Sequence, residues 1–116
     1  MRLETFYQII GSEYATLLER FCNNESLLDK FVTGFPDDPV FHFLQEAVDT
    51  ADYGAVENYA HALKGVAANL GFNRLQSACS ALVLSVREGH PEDIPEHFDK
   101  AQREYTIIIN EIHKNS

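Results

Sequence analysis

The chain has 116 residues, 45% of them apolar, and carries a net charge of −9. That length reads as a single domain spanning residues 1–116 with one core. Nine basic residues scattered through an acidic chain argue against a nucleic-acid or anionic-membrane surface, because phosphate binding needs clustered Lys and Arg.

Residues 3 to 10 predict a short helix stopped by Gly11. Ser12 then caps a second segment, with Glu13 in its first turn, that runs to about Cys22. Asn23-Asn24 reads as a turn and cap, and Glu25 to Phe35 as a helix with Leu27, Leu28, Phe31 and Phe35 inward. Pro36-Asp37-Asp38-Pro39 breaks or kinks the path, so Asp38 to about Ala51 is a new helix or a bent continuation. Its core stripe is Phe41, Leu44, Ala47 and Val48. Asp52 caps the next helix, Tyr53 to Leu70, which ends on Gly71 as a left-handed stop. Asn73 caps a helix carrying Leu75, Ala78, Cys79, Leu82 and Val86 at helical spacing, and Gly89 ends it. After His90-Pro91-Glu92-Asp93, a last helix runs from about Ile94 to His113, with Phe98, Ala101, Tyr105, Ile108 and Ile112 inward.

Nothing alternates with period two. Short connections between long helices imply antiparallel neighbours. The expected fold is therefore all-α, an up-and-down antiparallel four-helix bundle with an additional short N-terminal helix. No apolar run approaches the eighteen or so residues of a membrane span, and no basic segment followed by an apolar one marks a signal peptide. A cytoplasmic domain without direct membrane contact is expected. Cys22 and Cys79 lie in helical patterns far apart in sequence, which reads as two reduced core thiols.

The helix over residues 53–70 carries the chemistry. Val56, Ala60, Leu63, Ala67 and Leu70 share its apolar face. His61 lies off that face, with Lys64 and Gly65 beside it at i+3 and i+4. A histidine, a cation and a missing side chain make one exposed patch. A glycine in a helix interior costs roughly 1 kcal/mol relative to alanine, so Gly65 needs a reason, and an open approach to His61 supplies one. Ala68, one turn on, keeps the surface low as well. Glu57, at i−4, is either a hydrogen-bond partner for the imidazole or a solvated carboxylate. Arg87 is expected level with Glu57 across the hairpin, where a surface salt bridge is worth under about 1 kcal/mol. His42, His90, His97 and His113 lack such company and read as surface or packing residues. Phe31, Phe35, Phe41 and Phe43 read as core with one or two exposed rings.

His61-x-Leu63-Lys64-Gly65, then Gly71, with Asp52-Tyr53 before the helix and apolar Leu75, Cys79 and Leu82 after it, resembles a histidine-containing phosphotransfer (HPt) domain of bacterial phosphorelays. The likeness covers roughly residues 12 to 114. Such domains occur free or at the C-terminus of hybrid sensor histidine kinases. The family often places a glutamate twenty-two residues after the histidine, where this chain has Val83. A hairpin centred near Phe72 sets residues 61 and 83 at one height, so Val83 is expected to border His61, and the departure bears on partner specificity. Glu57, Ala68, Val83 and Arg87 are the expected docking patch.

The resemblance implies that His61 accepts a phosphoryl group from a receiver-domain aspartate and passes it to another receiver. An imidazole suits this, since its ordinary pKa of about 6.5 leaves a neutral nucleophile near pH 7. Phosphoryl transfer needs positioning and charge neutralisation, and Lys64 offsets the added negative charge. The chain needs no cofactor of its own, and Mg²⁺ comes with the receiver. The partners implied are response-regulator receiver domains and, in a longer parent chain anchored at the inner membrane, that chain's own kinase and receiver domains. Without a phosphate-cradling glycine loop or a kinase nucleotide motif, the domain is expected to carry phosphate and not to consume ATP. Two other classes remain: an interaction module that docks a receiver or kinase domain without phosphorylation, and a metal-binding bundle using Glu57 and His61. Labelling by a phosphorylated receiver separates the first from the carrier, and elemental analysis separates the second. The sequence shows no second set of ligands pointing the same way.

Overall fold

Apolar side chains recurring at three- and four-residue steps fold every long segment into a helix, and no strand forms in the computed structural model, which describes residues 1–116. The helices are α1 (Leu3–Ile10), α2 (Tyr14–Arg20), α3 (Glu25–Gly34), α4 (Val40–Asp49), α5 (Tyr53–Leu70), α6 (Asn73–Arg87) and α7 (Ile94–Lys114). Short 3₁₀ turns at Phe35–Asp37 and Pro91–Asp93 precede α4 and α7. Helices α4 to α7 run up and down as the expected bundle, with α5 packed between α4 and α6, and α6 between α5 and α7. The three short helices α1, α2 and α3 come before it in the chain. The molecule measures 41 × 23 × 19 Å.

One continuous core joins all seven helices. Phe72 sits at its hub, 1% exposed, with its ring near those of Phe6, Tyr7 and Phe35. At the other side, Phe41 stacks on Tyr105 with ring centroids 3.9 Å apart. Burial and the nearby Asp38 carboxylate raise the Tyr105 phenol above its ordinary pKa. Val48 and Val86 are half-buried at the edge of this core.

Local signals placed several boundaries correctly. Asn24 caps α3, its side chain accepting the Leu27 N–H, and Asp52 caps α5 through the Ala55 N–H at 3.2 Å. Gly71 adopts φ +74° and closes α5. A side chain there would also meet Leu17 at 2.6 Å, so both conformation and space demand glycine.

Other expectations are corrected. Ser12 does not cap α2. Glu13 takes the N-cap backbone position, and the Ser12 hydroxyl instead donates to the Gly71 carbonyl. Asn73 is the first residue of α6 and not its cap, because Phe72 follows the Gly71 turn and occupies that position. Helix α4 starts at Val40, whose N–H is held by the Asp38 carboxylate. Leu27 and Phe31 do not point inward; they are 40% and 49% exposed. Helix α3 carries two adjacent apolar stripes, and the one through Leu28, Val32 and Phe35 takes the core.

The cysteines also part company. Cys79 is buried, whereas Cys22 is exposed in a left-handed turn at φ 57°, so only one is a core thiol. Burial pushes the Cys79 thiol up to about 12, which leaves roughly one thiolate in ten thousand at pH 8. Native protein treated with iodoacetamide at pH 8 should therefore be alkylated at Cys22 alone, with Cys79 reacting only after denaturation. Peptide mass mapping reads the result, and equal rates at both cysteines would refute this packing.

Candidate functional site

Helix α5 is held on three fronts. Its face of Val56, Ala60, Leu63, Ala67 and Leu70 is buried, and Asp52 starts it. Its far end is held by the N-terminal segment. Carbonyls in the last turn of a helix have no partner within the helix. Here Arg20 Nη1 donates to the Ala68 carbonyl at 2.8 Å and to that of Asn69 at 3.5 Å. The Tyr7 hydroxyl donates to the Leu70 carbonyl at 2.7 Å in a buried bond, and Ser12 takes the Gly71 carbonyl. Burial drives the Tyr7 phenol well above its ordinary pKa, so it stays a donor.

The opposite face is open. His61 and Gly65 are exposed, and Lys64 and Ala68 are half-buried. No carboxylate lies within 4.0 Å of Lys64, so its charge is not spent on a neighbour. A Cβ built at Gly65 meets no atom within 4 Å. Packing inside the domain therefore does not require glycine there, and its helix cost of roughly 1 kcal/mol has no internal reason.

The expected docking patch separates on inspection. Glu57 and Arg87 meet across the hairpin, with Arg87 Nε 2.8 Å from Glu57 Oε2. The Glu57 carboxylate is thus engaged by Arg87 and does not orient the imidazole. Arg87 is 56% exposed, so the pair contributes under about 1 kcal/mol, and it marks the register that the buried faces of α5 and α6 set. Ala68 is half-buried on α5, seven residues beyond His61. Val83 does not border His61: it is 3% exposed. It shares the height of His61 but points into the core, because α6 turns its Leu75, Cys79, Leu82 and Val83 side inward. The next residue along α6, Leu84, is instead 51% exposed, an exposure that sequence reasoning missed. Reasoning from sequence also missed Arg20, since only the tertiary fold brings it to α5. No three His, Cys, Asp or Glu side chains gather as a metal site would require, and no helix is long and apolar enough to cross a membrane.

The candidate site is an exposed imidazole on the open face of α5, with an unpaired cation one turn away and open space at Gly65. The Hpt domain family model matches residues 26–113, most of the chain and all of α4 to α6. No curated protein and no solved structure matches. An all-helical bundle with a family match of this extent places the protein in two-component phosphotransfer signalling: the chain belongs to the histidine-containing phosphotransfer (Hpt) domain family.

Proposed function

We propose that His61 is the phosphoryl acceptor and donor of a phosphorelay, taking the group from one receiver-domain aspartate and giving it to another. The observation that carries this reading is the exposed imidazole flanked by the unpaired Lys64 and by Gly65, beside which nothing blocks approach. In the forward step the lone pair of the unprotonated ring nitrogen attacks phosphorus. The bond from phosphorus to the aspartyl oxygen breaks, and the carboxylate leaves with that electron pair. The phosphoimidazole then reverses the step on the next receiver. The ammonium of Lys64 attracts the phosphoryl oxygens throughout, while Gly65 and Ala68 let the receiver's loops come close. Mg²⁺ belongs to the receiver and is not held by this chain. The domain carries the group without hydrolysing ATP, and in a longer parent chain the same face serves that chain's kinase and receiver domains.

Incubation with receiver domains phosphorylated by acetyl phosphate should label the protein with acid-labile, base-stable phosphate. His61→Gln should abolish the label, and persistent labelling would overturn the assignment. Receiver binding without any label would instead mark a non-phosphorylated docking module.

Lys64→Ala should slow transfer about fivefold to tenfold, the effect of losing roughly 1 kcal/mol of charge attraction at such a separation, with an unchanged melting temperature. Gly65→Leu should keep or raise stability by up to about 1 kcal/mol yet impair transfer. Unchanged transfer by that variant would refute the open-surface role of Gly65.

A further inference from the structure

Nine Lys and Arg residues serve a chain of net charge −9. Four of them, Arg87, Lys100, Arg103 and Lys114, are paired with carboxylates. Of the unpaired five, Arg20, Lys30 and Lys64 all stand around the exposed face of α5. Arg20 is tied to the carbonyls of Ala68 and Asn69. Ala68 is two turns beyond His61 on the same side of the helix, roughly 10 Å along its axis. Lys30 lines an open groove of about 370 Å³ between α3 and α5, together with Phe31, Gly34, Val66, Asn69 and the Asp38 carboxylate, which is occupied in accepting the Val40 N–H.

Three further features mark this ground as a contact surface. Phe31 is 49% exposed at the groove's edge, its ring against that of Phe21, a large aromatic of the kind that anchors interfaces. Gly34, like Gly65, is a helical glycine whose Cβ would meet no atom within 4 Å. Between the groove and His61 the surface of α5 carries Ala62 and Gly65, so it is low and continuous. Arg20 is held by backbone oxygens and not by a carboxylate. It therefore keeps its full charge while its position is already fixed, which lowers the ordering cost of a contact.

We infer that Arg20 and Lys30 extend the His61 docking face across the carbonyl end of α5 and select receivers whose contact surface sets carboxylates beside an apolar ridge. This inference rests on the receiver reading above. Opposite charge steers association and rejects wrong partners more than it adds raw affinity. The ridge enters the groove against Phe31 and Val66, and its flanking carboxylates meet Arg20 and Lys30. An interface on this ground continues directly into the His61 patch, so one receiver covers both.

The test uses the full chain and a panel of purified receiver domains charged with acetyl phosphate and Mg²⁺. The variants are Arg20→Met and Lys30→Met, which keep the aliphatic stems, and Arg20→Lys. Each methionine variant should raise the KM for the receiver that labels the wild type best by about tenfold at low salt, with kcat little changed. Each should also flatten the fall of transfer rate with added NaCl, and Arg20→Lys should restore most of the wild-type behaviour. Phosphoramidate, a small donor that needs no docking, should label His61 equally in all forms. Unchanged KM and salt dependence in both methionine variants overturns the inference. So does a rise in KM matched by lost phosphoramidate labelling, or, in Lys30→Met, by a lowered urea midpoint, since that marks a structural role; Arg20→Met gives up two carbonyl bonds and is expected to lower its midpoint. Lys30 makes no bond to α5, so its variant decides the matter where Arg20→Met fails to fold. If phosphoramidate labels His61 but no receiver does, the receiver reading fails and takes this inference with it; if phosphoramidate does not label His61, the assignment of His61 itself fails.

Discussion

The site depends on how the exposed half of α5 is kept still. A helix with one face buried and the other bare is fixed against its neighbours by packing, yet its last turn is free to fray unless the terminal carbonyls find donors. In this chain three side chains from residues 1–24 supply them: Tyr7, Ser12 and Arg20. The buried bond from Tyr7 matters most, because the Leu70 carbonyl has no water to turn to, and an unmet buried acceptor costs about 1–3 kcal/mol. Gly71 belongs to the same arrangement. Its missing side chain admits Leu17, and Leu17 brings α2, hence Arg20, onto the helix end.

This arrangement separates two jobs along one helix. The N-terminal half of α5 is set by the Asp52 cap and by the buried Val56, Ala60 and Leu63, with the Glu57–Arg87 pair at its edge. The C-terminal half is set by the clamp. His61 lies between the two, near the middle of the helix. Preorganisation of this kind is what phosphoryl transfer asks of a protein, since the chemistry requires placement and charge more than covalent assistance.

The parts of this design legible in the sequence are those governed by neighbours in the chain. Asp52, Asn24 and Gly71 act within one turn, so their roles follow from local hydrogen bonding and backbone freedom. The buried face of α5 follows from its spacing, and the level of Arg87 with Glu57 follows from the short hairpin. What stayed hidden depends on contacts distant in sequence. Ser12 reads as a cap until the Gly71 carbonyl competes for its hydroxyl, and Val83 reads as a neighbour of His61 until the rotation of α6 turns it inward. Leu27 and Phe31 form an apolar stripe as plausible as that of Leu28 and Val32. Only the position of α3 against α5 decides between them. Arg20 carries no local signal at all, because its partners are 48 and 49 residues away.

The family match begins at residue 26, so the clamp comes entirely from chain that precedes it. The matched part contains α5 with its exposed His61 and unpaired Lys64. The preceding part supplies what finishes that helix, and in doing so it sets a guanidinium two turns from His61. Stabilising the rod and charging its outer surface are thus one structural act. A substitution that merely restored the lost carbonyl bonds with a neutral donor would keep the first effect and lose the second. On the docking role proposed for Arg20, residue 20 is the place where stability and recognition can be varied independently, since the same guanidinium that bonds the end of α5 charges its outer surface.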